Sequence, residues 1–222
     1  MKTVISFIII LISVYTVAGQ SNKTDKLPRW EIGLDILPLL KDTSYHMKES
    51  VLLKYRIGDK VKLRTRVGIY FDDVNNQPTN PPFTDTIWGN RPRVYFSFGI
   101  EKPLLMVSKV HIYWGVDAFI FYNKNDVYRH SKALGIPPTE NEAWIDDREY
   151  KTGINAFIYG EYHFTDHFSL NLEAFWQFAY RYERYYNKEY RDNQLFTEGG
   201  RTIKRFLTQI QPISSINLIY KF

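Results

Sequence analysis

A period of two in hydrophobicity runs through most of the chain, and it also sorts the charges. In each repeating segment one face is apolar and the other carries the ionisable side chains. From Val61 the set Val61, Leu63, Thr65, Val67, Ile69 and Phe71 interleaves with Lys62, Arg64, Arg66, Gly68, Tyr70 and Asp72. A helix repeats every 3.6 residues and would mix the two sets. Seven further segments alternate in the same way, with apolar sets that begin at Trp30, Val51, Val94, Ile112, Thr152, Phe168 and Ile216. Eight strands are expected, and their apolar faces contain no Asp, Glu, Lys, Arg or His. The opposite faces gather Glu31, Asp35, Asp72, Glu101, Asp117, Glu161 and Glu173 against Lys54, Arg56, Lys62, Arg64, Arg66, Arg93, Arg181 and Lys221.

Two all-β architectures satisfy such a pattern. A water-soluble barrel turns its charges outward around an apolar pocket, and a transmembrane barrel turns them inward. Connection lengths separate the two. Gly58-Asp59-Lys60 and Thr165-Asp166-His167 are tight turns and Lys102 to Lys109 is moderate, whereas Leu39 to Glu49, Asp73 to Arg91, Asn123 to Tyr150 and Tyr182 to Ile203 are long. Long and short connections alternate strictly, so all long loops fall at one end. That asymmetry belongs to outer-membrane barrels, with short periplasmic turns and long extracellular loops. The expectation is a closed, eight-stranded, antiparallel up-and-down transmembrane β-barrel. Closure is required because lipid offers no partner to the backbone groups of an open sheet edge.

Residues 1–19 read as a secretory signal peptide: Lys2 is followed by an apolar core from Val4 to Val17 and a small-residue cleavage site at Val17-Ala18-Gly19. Residues 20–28 then form a short periplasmic N-terminal segment, and 29–222 the barrel. The chain has no Cys, which removes disulfides, thiol chemistry, Cys-ligated metals and a lipidated anchor. A net charge of +5 spread over the whole chain does not point to nucleic acid. No cofactor is implied. The mean hydropathy of -0.36 resembles that of a soluble protein, because it averages an uncharged face with a charged one and with polar loops. Trp30, Trp88, Trp114, Trp176 and many of the 17 Tyr are candidates for interfacial belts.

The chain closes on Ser214-Ser215-Ile216-Asn217-Leu218-Ile219-Tyr220-Lys221-Phe222. Ile216, Leu218, Tyr220 and Phe222 form an alternating apolar run that ends in an aromatic, which looks like the C-terminal signature of bacterial outer-membrane barrels. With the leader, the eight strands and the loop asymmetry, the mature chain resembles the OmpA/OmpX-like small outer-membrane barrel family, without a following peptidoglycan-binding domain. The resemblance implies a bacterial outer-membrane location with both termini periplasmic. It also implies contact with membrane lipid and lipopolysaccharide, and recognition by the barrel-assembly machinery.

An eight-stranded barrel has an interior just wide enough for side chains to fill. Glu31, Asp35, Lys54, Arg56, Lys62, Arg64, Arg66, Asp117, Glu161 and Glu173 are therefore expected to pair there as a charge network that plugs the lumen. A narrow ion path lined by Arg64, Arg66 and Asp117 is the alternative. A lipid-modifying enzyme would need a nucleophile beside a base, and the nearest local set is His167, Ser169 and Glu173; with His167 in a turn, no such site is expected. His111 and His163 lack the paired spacing of a zinc site. Binding would reside in the long loops, above all in a projecting hairpin that carries Tyr182, Arg184, Tyr185 and Tyr186, suited to an extracellular polysaccharide or protein. Phe206, Thr208 and Ile210 keep the register of the last strand, so this hairpin is expected to project. Pro212 is expected to mark a bulge. The resulting expectation is a non-enzymatic structural or surface-binding protein.

Overall fold

The computed structural model describes residues 29–40, 50–57, 60–71, 73–76, 79–80, 83–133 and 139–222. The expected leader, the 20–28 segment, residues 41–49, Gly58-Asp59 of the first tight turn, and Gly135, Pro137 and Pro138 lie outside these residues. The elements are β1 (Trp30–Asp35), α1 (Leu37–Leu40), β2 (Ser50–Ile57), β3 (Val61–Tyr70), β4 (Asp73–Asn76), β5 (Thr79–Asn80) and β6 (Phe83–Asn90). They continue with β7 (Arg93–Val107), β8 (Val110–Ala133), β9 (Thr139–His163), β10 (Phe168–Arg191) and β11 (Gln194–Lys221).

Eight of the strands form a ring in which each is antiparallel to both neighbours, in the order β1, β2, β3, β7, β8, β9, β10, β11 and back to β1. The first strand bonds the last, with Glu31 opposite Lys221 and Leu34 opposite Leu218. Phe222 completes this seam: the Trp30 amide donates to its carbonyl at 3.1 Å and its own amide donates to the Trp30 carbonyl at 3.0 Å. The seam ends where the Ile36 amide donates to the Ile216 carbonyl at 2.7 Å.

The period of two decides the faces. Along β3 the side chains of Lys62, Arg64 and Arg66 are buried, while Val67 and Ile69 are exposed. On β9, Asn155, Phe157, Tyr159 and Glu161 are buried between exposed Ile154, Ile158 and Tyr162. The burial is inverted relative to a water-soluble sheet, with charge inside and large apolar side chains outside.

Turn chemistry closes the hairpins. Asp192 and Asn193 join β10 to β11 with φ of 51° and 63°, the pair of left-handed residues that a type I′ turn needs. At the opposite end, Thr165 Oγ1 accepts from the amides of His167 at 3.3 Å and Phe168 at 3.0 Å. The moderate connection expected over Lys102 to Lys109 is shorter than that. β7 runs through a register shift between Pro103 and Leu105, where proline has no amide to give the ladder, and only Ser108-Lys109 turn the chain. Between Glu173 and Phe175 of β10 the partner on β11 jumps from Ser215 to Gln211, so the bulge lies at Pro212.

The long connections differ most from expectation. Asn123 to Tyr150, which Gly135, Pro137 and Pro138 mark in sequence as an irregular loop, is paired instead, since β8 and β9 continue as a ladder from Tyr122↔Tyr150 to Ala133↔Thr139. Tyr182 to Ile203 is likewise paired to its tip, and within Asp73 to Arg91 β6 adds to the outer part of β8. The β8–β9 extension is mostly polar on both faces, with Lys124, Asp126 and His130 on one and Asn125, Arg129 and Ser131 on the other, broken by Tyr128 and Val127. A backbone ladder needs no apolar face, so hydrophobic alternation stops where pairing continues.

Gly99 and Gly115 mark close backbone approach on the inner face. A Cβ on Gly99 would collide with the Val116 carbonyl and the Asp117 carboxylate, and one on Gly115 with the Ile100 carbonyl and the Phe157 ring. Gly99→Ala is expected to lower folding stability by about 1–3 kcal/mol, the cost of forcing apart a packed interior, read as an earlier urea midpoint at unchanged slope.

Candidate functional site

The ring converges its charged residues on two ion-paired layers. In the layer nearer the termini, Lys62 Nζ lies 2.6 Å from Glu31, Lys221 Nζ 2.5 Å from Glu161, and Lys54 Nζ 3.3 Å from Glu101. Lys54 stands between all three carboxylates, with Glu161 at 3.9 Å and Glu31 at 4.0 Å. In the second layer Arg64 reaches Glu173 at 2.9 Å and Asp117 at 3.3 Å, and Arg66 reaches Glu173 at 3.2 Å. Each layer balances its formal charges. Tyr159 braces the first layer, its hydroxyl donating to Glu101 at 2.6 Å and accepting from Lys54 Nζ at 2.7 Å, and the two layers meet where Arg64 lies 3.8 Å from Glu101. Rings fill the remaining space, with the Arg64 guanidinium 3.8 Å from the Phe157 centroid and Lys62 Nζ 4.5 Å from that of Tyr113.

Not every expected member joins by pairing. Asp35 sits at the end of β1, where its Oδ1 accepts from the amides of Leu37 at 3.1 Å and Ile216 at 3.2 Å, so it caps backbone instead of meeting a base. Arg56 touches Glu31 only at 4.0 Å, from the half-buried rim. Lys221, Glu101 and Tyr159 belong to the centre although the expected network omits them. Lys221 and Glu101 lie on the charged faces in sequence, whereas Tyr113, Phe157 and Tyr159 are aromatics in the inward phase, which composition alone assigns to belts.

His167, Ser169 and Glu173 are not brought together. His167 Nδ1 lies 3.0 Å from the Lys221 carbonyl, Ser169 Oγ donates to Glu161 at 2.8 Å, and Glu173 takes both arginines. His111 and His163 pack ring to ring at 4.2 Å, and His163 Nδ1 lies 3.0 Å from Lys221 Nζ. Among the described residues no group of three metal-ligating side chains forms.

At the far end from the termini, the outward face is layered. Tyr122, Tyr150 and Tyr182 stand opposite one another across β8, β9 and β10, with centroids 4.9 and 6.1 Å apart, and Lys204 Nζ lies 5.8 Å from the Tyr182 ring. One step further out comes a basic row, in which Lys124 faces Arg148 and Arg148 faces Arg184. Above it the hairpins project. Here the expected Tyr182, Arg184, Tyr185 and Tyr186 patch divides: Tyr182, Arg184 and Tyr186 point outward, while Tyr185 faces inward against Arg201 at 5.6 Å. Tyr186 meets Trp144 edge-on at 5.8 Å and its hydroxyl donates to Glu198. Trp88, expected in a belt, instead packs on Tyr128 at 4.4 Å within the projecting sheet. Local charges there tune one another. Burial alone would raise the Asp126 carboxyl, but Lys124 and the Trp144 indole, which donate to it at 2.7 and 2.8 Å, hold it below the usual carboxylate range. Burial, with a hydrogen bond to Glu142, pushes the Tyr128 hydroxyl up to about 12.

The architecture is thus an all-β closed ring with a charged, ion-paired interior. No family model and no curated protein matches the chain. Among solved structures it is similar to the crystal structure of Acinetobacter baumannii CarO, with 12% identity over 90% of this chain and 100% of that one, at a TM-score of 0.37. A similarity that remote assigns no family.

Proposed function

We propose that the chain is a non-enzymatic bacterial outer-membrane β-barrel, plugged by its ion pairs, that serves a structural or surface-binding role through its projecting hairpins. The observation that carries this reading is the inverted burial. Phe96, Phe98, Ile100, Val116, Ile120, Ile154, Ile158 and Phe178 form a continuous exposed apolar wall, while Lys54, Arg64, Glu101, Glu161 and Glu173 are at most 2% exposed. Soluble monomers rarely present contiguous apolar patches beyond a few hundred Å². Hydrocarbon suits such a wall, and a closed ring suits hydrocarbon because it leaves no strand unbonded at its seam.

The layering of the far end supports a cell-surface orientation. A tyrosine row followed by Lys124, Arg148 and Arg184 places amphipathic rings at the interface and cations at the level of lipopolysaccharide phosphates. The seam residues Trp30 and Phe222 then lie at the periplasmic end, where an exported chain begins and where Ile216, Leu218, Tyr220 and Phe222 would be read by the assembly machinery. The resemblance to OmpA/OmpX-like small barrels is part of this reading. Exposed Phe196 and Leu195 near the hairpin tip, with Arg191 4.7 Å from the Phe196 centroid, offer stacking and charge to a polysaccharide or protein partner.

Fractionation followed by electrophoresis of unboiled and boiled samples tests the assignment. The protein is expected in the outer-membrane fraction, with a mobility that changes on boiling. Recovery with soluble periplasmic proteins and one mobility in both samples would reject it.

A further inference from the structure

We propose that the outward face of the projecting sheet, where Trp88, Tyr128, Trp144 and Tyr186 stand on four neighbouring strands, is a binding platform for a carbohydrate chain. This rests on the surface-binding reading of the hairpins and gives it a site and a ligand class. Trp88 on β6 lies directly opposite Tyr128 on β8, and Tyr128 directly opposite Trp144 on β9. Tyr186 on β10 is diagonal to Trp144 and directly opposite Asp146. The rings form two packed pairs, Trp88 with Tyr128 at 4.4 Å between centroids and Trp144 with Tyr186 at 5.8 Å. At the usual strand spacing the row is about 15 Å long, enough for a short run of pyranose units.

The rings are held by their tips with their faces accessible. The Trp144 indole donates to Asp126 at 2.8 Å, the Tyr128 hydroxyl donates to Glu142, and the Tyr186 hydroxyl donates to Glu198. Each of these tips is pinned at a carboxylate, which fixes the ring before a ligand arrives and lowers the ordering cost of binding. Trp88 stays 45% and Trp144 36% exposed, against 1% for the lumen ring of Tyr159.

The pinning carboxylates also face whatever lies on the rings. An ionised carboxylate offers about four acceptor sites. Asp126 takes Lys124 besides the indole, Glu142 lies 3.5 Å from His130, and Glu198 lies 3.3 Å from Lys188. Acceptor sites are left over in each, and because each has a base beside it, the platform does not depend on net charge for its ligand. A pyranose meets this arrangement on both counts: its C–H face packs on an aromatic face, and hydroxyls at its edge donate to carboxylates in charge-assisted bonds. A protein partner fits less well. Lys188 stands directly opposite Trp144, and Asp146 directly opposite Tyr186, so charges interrupt the rings, whereas the core of a protein interface is depleted of charge.

Isothermal titration of the folded protein in detergent micelles tests the proposal, with cellohexaose, maltohexaose and laminarihexaose as uncharged probes and hexagalacturonate as the charged one. Saturable binding of at least one uncharged hexamer is expected. Trp88→Ala and Trp144→Ala are each expected to weaken it at least about tenfold, the usual cost of truncating an aromatic anchor. Trp144→Phe, which keeps a ring and loses the bond to Asp126, is expected to weaken it less than Trp144→Ala. Phe196→Ala, at the hairpin tip, is expected to leave the affinity unchanged. The boiling-dependent mobility shift is read on the same samples, so loss of the platform and failure of the membrane assignment are separate results. An affinity that falls with Phe196→Ala and not with the two tryptophan variants would keep the surface-binding reading and overturn this platform. No saturable binding of any uncharged hexamer, or binding of hexagalacturonate alone that high salt abolishes, would overturn it as well.

Discussion

Lys54→Met is expected to destabilise the folded ring by about 3–5 kcal/mol, the cost of removing one partner from a buried charge cluster. The ammonium is 1% exposed and sits within 4.0 Å of Glu31, Glu101 and Glu161. Methionine nearly preserves its volume, so packing changes little and the loss is electrostatic. Glu31, Glu101 and Glu161 would then share Lys62 and Lys221, with Arg64 3.8 Å from Glu101 and Arg56 4.0 Å from Glu31, so three buried carboxylates would keep two lysines and two more distant guanidiniums. The Tyr159 hydroxyl would also lose the donor that lies 2.7 Å away. Combining Lys54→Met with Glu101→Gln restores charge balance. The double variant should therefore lose less stability than the two single variants summed, with a coupling of about 1–3 kcal/mol. Urea unfolding in phospholipid vesicles measures all three variants. A Lys54→Met variant with an unchanged midpoint would show that the cluster carries no net interaction.

That cluster was only half legible in the chain. The period of two places Lys54, Lys62, Arg64, Arg66, Glu161 and Glu173 on one face, and closure aims that face inward. Which base meets which acid is set by ring closure and strand tilt, and sequence spacing does not encode either. Glu173 pairs with Arg64 and Arg66 across 109 and 107 positions of chain. Asp35 looks equivalent to Glu31 in phase, yet it falls where β1 ends and two free amides compete for its carboxylate. Tyr113, Phe157 and Tyr159 carry no mark in composition that separates a lumen ring from a belt ring. Phase does separate them, because each lies between outward positions such as Ile112 and Trp114 or Ile158 and Gly160. The projecting final hairpin was legible through Phe206, Thr208 and Ile210, which keep the apolar register. The equally long β8–β9 hairpin was not, because its faces are mostly polar and the few apolar residues, such as Val127 and Ile145, do not repeat along the strand. Loop asymmetry, read from the same segments, still identified the end of the ring from which they rise.

The outward face gives the second large effect, and its size separates lipid from water. Val116 stands midway along the apolar stripe of β8, directly opposite Ile100 on one side and Ala156 on the other, and is 38% exposed. In a water-soluble ring Val116→Arg would put a charge on an accessible surface position, where substitutions usually stay within about 0.5 kcal/mol. In a bilayer the same arginine meets the hydrocarbon midplane and is expected to cost about 2–4 kcal/mol. Thr202→Arg provides the depth control. Thr202 is exposed and pairs with Arg184 in the cationic row above the tyrosines, where the expected cost falls to about 0–1 kcal/mol. Both variants are compared by urea unfolding in vesicles. A penalty at Val116 that exceeds the one at Thr202 by about 2 kcal/mol or more is the depth dependence of a membrane-spanning wall. Equal and small penalties would mean that water bathes the apolar stripe, and the inverted burial would then need a protein partner to cover it.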